Sequence, residues 1–172
     1  MAVIVTKEEF NLRSKLNELN FSTVPYEKMP SGSTIQVKQF TITNSDNGAF
    51  LLQTSSSSFT ATPLLLAISP RFSSSKILIN VNTSSYCAGN NHTSYTIYRD
   101  STNLGGSTYG VADFTSSHTW RPFSMMLLDT PQTTSSVTYR VYARTLNNTL
   151  YMGGDSDVHN TITLMEVKQW LH

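Results

Sequence analysis

The chain has one cysteine, Cys87, in 172 residues, which excludes any intrachain disulfide and leaves packing or subunit association to hold the fold. Charge is equally sparse: Asp, Glu, Lys and Arg make up 13%, with a net charge of +1, so the basic face of a nucleic-acid binder is missing and no nucleic-acid partner is expected. No apolar run approaches the roughly 20 residues of a membrane-spanning helix, and no membrane association is expected. The opening Met1–Val5 runs at once into Thr6-Lys7-Glu8-Glu9, which does not read as a secretory signal. No His-x-x-x-His or Gly-x-Ser-x-Gly spacing occurs. The expectation is therefore no catalytic residue, no metal and no cofactor.

What the chain has instead is hydroxyl groups. It holds 24 Ser, 23 Thr and 13 Asn, and Tyr, Phe and Trp supply 10%. Low charge with ample aromatics is the composition of a folded β protein with hydroxyl-rich loops, not of a disordered chain.

The period-2 signal is strongest at Lys76–Asn82, where Ile77, Ile79 and Val81 alternate with Leu78 and Asn80. Val137–Arg144 alternates as cleanly, with Val137, Tyr139, Val141 and Ala143 on one face. Thr161–Lys168 sets Ile162 and Leu164 against Met165 and Val167. Further strands are predicted over Thr34–Thr43, with a phase shift between Val37 and Phe40, and over Ala49–Gln53, Leu64–Ile68 between two prolines, Ser94–Asp100, Thr149–Met152 and Arg121–Asp129, the last apolar enough for a central strand. Thr83–Thr93 and Ser107–Thr119 read as polar loops. Eight or nine short strands predict an all-β fold, an antiparallel two-sheet sandwich of jelly-roll type, over residues 34–172.

Residues 1–33 differ. Eight of the 23 charged residues lie in the first thirty, Thr6 and Glu9 make a capping box, and Val5 and Phe10 are spaced as a hydrophobic staple. A helix over residues 7–19 follows, with Leu12, Leu16 and Leu19 on one stripe. Three turns are marginal alone, so the stripe must dock either on its own domain or on a neighbouring subunit or scaffold. Pro25 and Pro30 make residues 21–33 an extended connector. Val3, Val5, Phe10, Leu12, Leu16, Leu19 and Phe21 are the candidate contact residues of this arm.

Tyr86, Tyr95, Tyr98, Tyr109, Trp120, Tyr142 and Tyr151 are candidate contact rings, with Tyr98, Tyr109, Trp120 and Tyr142 the ones taken as surface residues. Asp155 and Asp157 form the densest group of potential cation ligands, in a Gly-rich turn that lacks the closing Glu of a calcium loop.

Several segments together resemble a family: Val24-Pro25-Tyr26-Glu27-Lys28-Met29-Pro30-Ser31-Gly32-Ser33, Ser74–Ile79, Thr96–Asp100, Ser136–Val141 and Ile162–Val167. They are similar to the β-rich surface modules of tailed-bacteriophage virion proteins, those of cyanophages and marine phages especially. The resemblance implies a trimeric β-sandwich at the virion surface, without enzyme activity. Its roles there would be capsid decoration or cement, or alternatively a fibre tip that binds host surface glycans. The implied partners are two further copies of the chain and the major capsid protein or another virion protein.

Overall fold

A computed structural model describes residues 25–47, 50–116, 118–154 and 157–169. The predicted helix over 7–19, and with it Val3, Val5, Phe10, Leu12, Leu16, Leu19 and Phe21, lies outside the described residues. The chain divides into two units, Met1–Pro30 and Ser31–His172. In the first, Tyr26–Lys28 forms one turn of 3-10 helix rather than the extended path expected there. Pro25, at φ −57°, is already in the conformation that leads into a helical turn, so the two prolines bracket the turn instead of forbidding it.

The second unit is an all-β sandwich of eleven strands. In order these are β1 (Thr34–Ile42), β2 (Leu52–Thr54), β3 (Thr60–Ile68), β4 (Lys76–Cys87), β5 (Asn91–Arg99), β6 (Thr102–Asn103), β7 (Ala112–Ser116), β8 (Arg121–Asp129), β9 (Val137–Thr145), β10 (Leu150–Met152) and β11 (Asn160–Val167). One helical turn, α1 (Asn44–Asn47), follows β1. The first sheet runs β1-β11-β4, with β8 on the far edge of β4 and β10-β2 continuing beside the C-terminal end of β4. The second runs β3-β9-β5, with β6 and β7 sharing the far edge of β5. The pairing is nested: β1 with β11, β3 with β9, β4 with β8 and β5 with β7, all antiparallel. That is the wrapped hairpin of a jelly roll.

The alternation dictates the core. Ile77, Ile79 and Val81 of β4 and Ile162 and Leu164 of β11 point inward against Tyr95 and Ile97 of β5 and Val137, Tyr139, Val141 and Ala143 of β9. Most of these side chains are fully buried, at roughly 1.5–3 kcal/mol each for the larger ones.

Five sequence expectations are corrected. The segment 83–93 is not a loop: β4 continues to Cys87 and β5 begins at Asn91, because Thr83, Ser85 and Thr93 are small enough to face inward and find partners. Ser85, for instance, accepts a 2.6 Å bond from the Tyr95 hydroxyl across the sandwich. A strand, β7, occupies 112–116, where Gly110 at φ +67° allows the chain to pass close to the Tyr95 carbonyl, which accepts from Val111 N. β3 starts at Thr60 and runs through Pro63; it is an edge strand, its register shifts between Ala61 and Leu65, and Thr62 Oγ1 bonds both Val141 O and Leu64 N across the irregularity. The second strand is Leu52–Thr54, not Ala49–Gln53; Ala49 lies outside the described residues. The predicted phase shift in β1 is found two residues earlier, between Thr34 and Gln36.

One end of the sandwich is closed by two carboxylates. Glu166, fully buried, accepts from Gln36 Nε2 at 2.7 Å and from the amides of Arg71 and Phe72 at 2.7 and 3.3 Å. Asp129 pairs with Arg99 at 2.8 Å and accepts from the Tyr139 hydroxyl at 2.7 Å, tying β8 to β5 and β9. Burial, followed by the neighbouring Asp129, pushes the Tyr139 phenol far above its ordinary range.

Two measurements check this scheme. Glu166→Ala removes the acceptor of two loop amides and is expected to cost about 2–3 kcal/mol in denaturant unfolding. Burial also raises the Tyr95 phenol to about 12 from 10.0. The raised group favours the folded state only while it keeps its proton, so stability holds below about pH 10 and falls as pH rises toward 12. Tyr95→Phe should show a shallower alkaline decline in urea midpoints.

Candidate functional site

The outward face of the first sheet carries the unusual chemistry. Four strands set Val37, Met165, Leu78 and Leu128 side by side in register. Val37 is 56% exposed and Leu128 51%, and Met126, one step along β8, is 66% exposed. Among the described residues β8 pairs only with β4, so the expected central strand is an edge strand there, and its apolar residues Met126 and Leu128 face outward. Its Pro122 near the strand start suits an edge, where a missing N–H breaks no ladder.

Further along the same face the rows become polar: Gln39, Thr163, Asn80 with Met126, then Thr41, Thr161, Asn82 and Ser124. Beyond them the face turns aromatic. Tyr151 of β10 stands directly opposite Tyr86 of β4, with ring centroids 5.7 Å apart, and Trp120, just before β8, lies 5.6 Å on the other side of Tyr86. Phe50 stands edge-on to Tyr151 at 4.9 Å and tilted to Trp120 at 5.9 Å. With Ala88 these rings line an open concavity of about 330 Å³. His118 closes one side, its Nδ1 3.4 Å from the Tyr86 hydroxyl and its backbone left-handed at φ +38°. Its amide donates to Cys87 O at 3.1 Å, which anchors it to the end of β4.

Of the four surface rings predicted from sequence, the structure brings two together and separates the others. Tyr98 and Tyr142 stack at 4.0 Å on the outward face of the second sheet, Tyr109 is 58% exposed in the β6–β7 connection, and Trp120 belongs to the aromatic floor of the first sheet. Tyr95 is a core residue. Phe50 and His118 carried no sequence signal as contact residues, because the floor assembles from positions 50, 86, 118, 120 and 151, which only strand order brings together.

Other polar groups are accounted for by geometry. Ser94 Oγ donates to Asp113 Oδ1 at 2.6 Å, and His92 Nδ1 lies 3.2 Å from Asp113 Oδ2. Serine, histidine and aspartate thus meet, but the carboxylate takes both bonds and the imidazole does not receive the serine proton, as a general base would. Cys87 contacts Thr145, and burial pushes its thiol up, away from a nucleophile's range. Among the described residues no three His, Cys, Asp or Glu side chains gather as metal ligands; Asp155 lies outside them, while Asp157 is exposed. Also among the described residues, no helix is long and apolar enough to cross a membrane.

No family model and no curated protein matches the chain. The solved structures similar to it include two of infectious bursal disease virus. One, a structure of infectious bursal disease virus of the Gx strain, is 12% identical with a TM-score of 0.40, over 81% of this chain and 34% of that one. The other, a mutant VP2 protein of the same virus in derived T=1 particles, is 14% identical with a TM-score of 0.39, over 78% of this chain and 37% of that one. The chain therefore spans little more than a third of the length of each of these proteins.

Proposed function

We propose that the chain is a non-enzymatic virion structural protein, a decoration or cement protein displayed on the particle surface and associated as a homotrimer. Residues 1–33 would be its anchor on the major capsid protein or another virion protein. The observation that carries this reading is the apolar row Val37-Met165-Leu78-Leu128, which crosses a whole sheet face and ends at the open edge of β8. Contiguous exposed apolar surface of that kind marks a face that another protein covers. Jelly rolls build viral capsid and lectin domains, which favours the reading by analogy of fold. So does the likeness of the sequence segments to phage surface modules.

A second reading has its own support. The aromatic floor at the other end of the face favours a receptor-binding tip that recognises host surface glycans. Adsorption of the purified protein to host cells separates the two.

Leu128→Asp places a charge in the row at an exposed site, where it should change monomer stability by no more than about 0.5 kcal/mol. Light scattering should then report loss of the trimer with unchanged folding; a wild-type monomer at all concentrations would refute the self-association. Deleting residues 1–20 should abolish co-sedimentation with capsids, and undiminished binding would refute the anchor.

A further inference from the structure

We propose that the outward face at the C-terminal end of β4 and the start of β8 is an oligosaccharide groove that takes neutral sugars, with one pyranose ring on the aromatic floor and the next in the hollow beside it. This deepens the recognition reading and rests on it.

The floor selects the first unit. Tyr151, Tyr86, Trp120 and Phe50 follow one another with neighbouring centroids 4.9 to 5.9 Å apart and line an open concavity of about 330 Å³. The ring faces carry partial negative charge and attract the partly positive C–H groups on one side of a pyranose. The rim supplies the polar half of the match. Among the described residues no hydrogen bond engages the Tyr151 hydroxyl or the Trp120 indole N–H, and His118 stands at the edge. No lining residue of the floor is charged, which points to a neutral sugar. Its volume of about 330 Å³ lies at the small end of ligand sites, which run from roughly 300 to 1,000 Å³.

The second unit follows from what adjoins the floor. Two residues back along β4 from Tyr86 is Ser84, and two residues on along β8 from Trp120 is Pro122; these two are paired in register. Both line a separate hollow of about 410 Å³, together with Asn82, Ser124, Val158 and His159. Asn82 and Ser124, both exposed, offer donors and acceptors along this hollow, beside the apolar Pro122, Phe123 and Val158.

The test is a glycan array probed with the full-length chain, with affinities then measured for the best disaccharide and its non-reducing monosaccharide. Neutral oligosaccharides should bind. Trp120→Ala and Tyr151→Ala should each weaken binding about tenfold or more, because each removes a stacking surface. Asn82→Ala should weaken the disaccharide and leave the monosaccharide unchanged. Arg140→Ala, on the outward face of the second sheet, should leave both unchanged, and thermal melts confirm that every variant is folded.

Absence of any array signal, binding confined to charged glycans, or competition by choline would overturn the proposal. Adsorption of virions carrying Trp120→Ala is scored separately. Array binding with unaltered adsorption sinks the recognition reading and keeps the groove. Lost adsorption with a blank array sinks the groove and keeps recognition.

Discussion

The second unit depends on β4 having both of its edges occupied along nearly its whole length. β8 follows one edge from Ile77 to Ser85, while β11 and then β10 divide the other. A strand held on both sides cannot slip by one residue without turning Ile77, Ile79 and Val81 out of the core, so the register is fixed by burial as well as by hydrogen bonds. The same register places Leu78, Asn80, Asn82, Ser84 and Tyr86 outward. Core and surface are therefore two readings of one alternation. The nested pairing around β4 is also what brings the first strand against the last, since β1 joins the sheet only through β11.

A chain so rich in serine and threonine can build this core because its hydroxyls do structural bonding inside the sandwich. Thr83 donates to Asn160 Oδ1 at 2.8 Å, and the Asn160 amide in turn serves the carbonyls of Gly153 and Val158. Thr145 accepts from the Asn91 amide at 3.1 Å and donates to Asn147 O at 2.6 Å, stitching the β9–β10 turn to the start of β5. Each of these groups would cost about 1–3 kcal/mol if buried alone. Paired, they let strands extend through stretches with few apolar residues. The opposite end of the sandwich uses charge for the same purpose, through Glu166 and the Arg99–Asp129 pair.

That explains which parts of the fold were legible in the sequence. Lys76–Asn82, Val137–Arg144 and Thr161–Lys168 were readable because apolar side chains mark every second position, and the structure buries those residues. The strand segments Thr83–Cys87 and Asn91–Thr93 were not, because their inward positions are hydroxyls and amides that only a tertiary partner makes buriable. Arg121–Asp129 misled in the other direction: Met126 and Leu128 are apolar but face out, so hydrophobicity suggested a centre where the topology provides an edge. The aromatic floor was only partly visible. Trp120 stood out as a candidate surface ring, but its association with Tyr86 and Tyr151 depends on β10, β4 and β8 being neighbours, which no local pattern encodes.

The arrangement on the outward face has a consequence for how two activities can share one sheet. Leu78 and Tyr86 are eight residues apart on β4, and at about 3.3 Å per residue the apolar row and the aromatic floor lie roughly 26 Å apart along the strand. Between them run mostly Asn, Thr, Ser and Gln side chains, with Met126 beside the apolar end and Pro122 beside the aromatic one. A protein that covers the row buries it by the hydrophobic effect, which is indifferent to what stands beyond the polar band. The proposed sugar contact, by contrast, would work through ring faces and a few directed hydrogen bonds that need access to solvent-borne ligand. Because the polar band separates them, assembly at one end need not shut the other, and the pleat of β4 holds both in fixed relation.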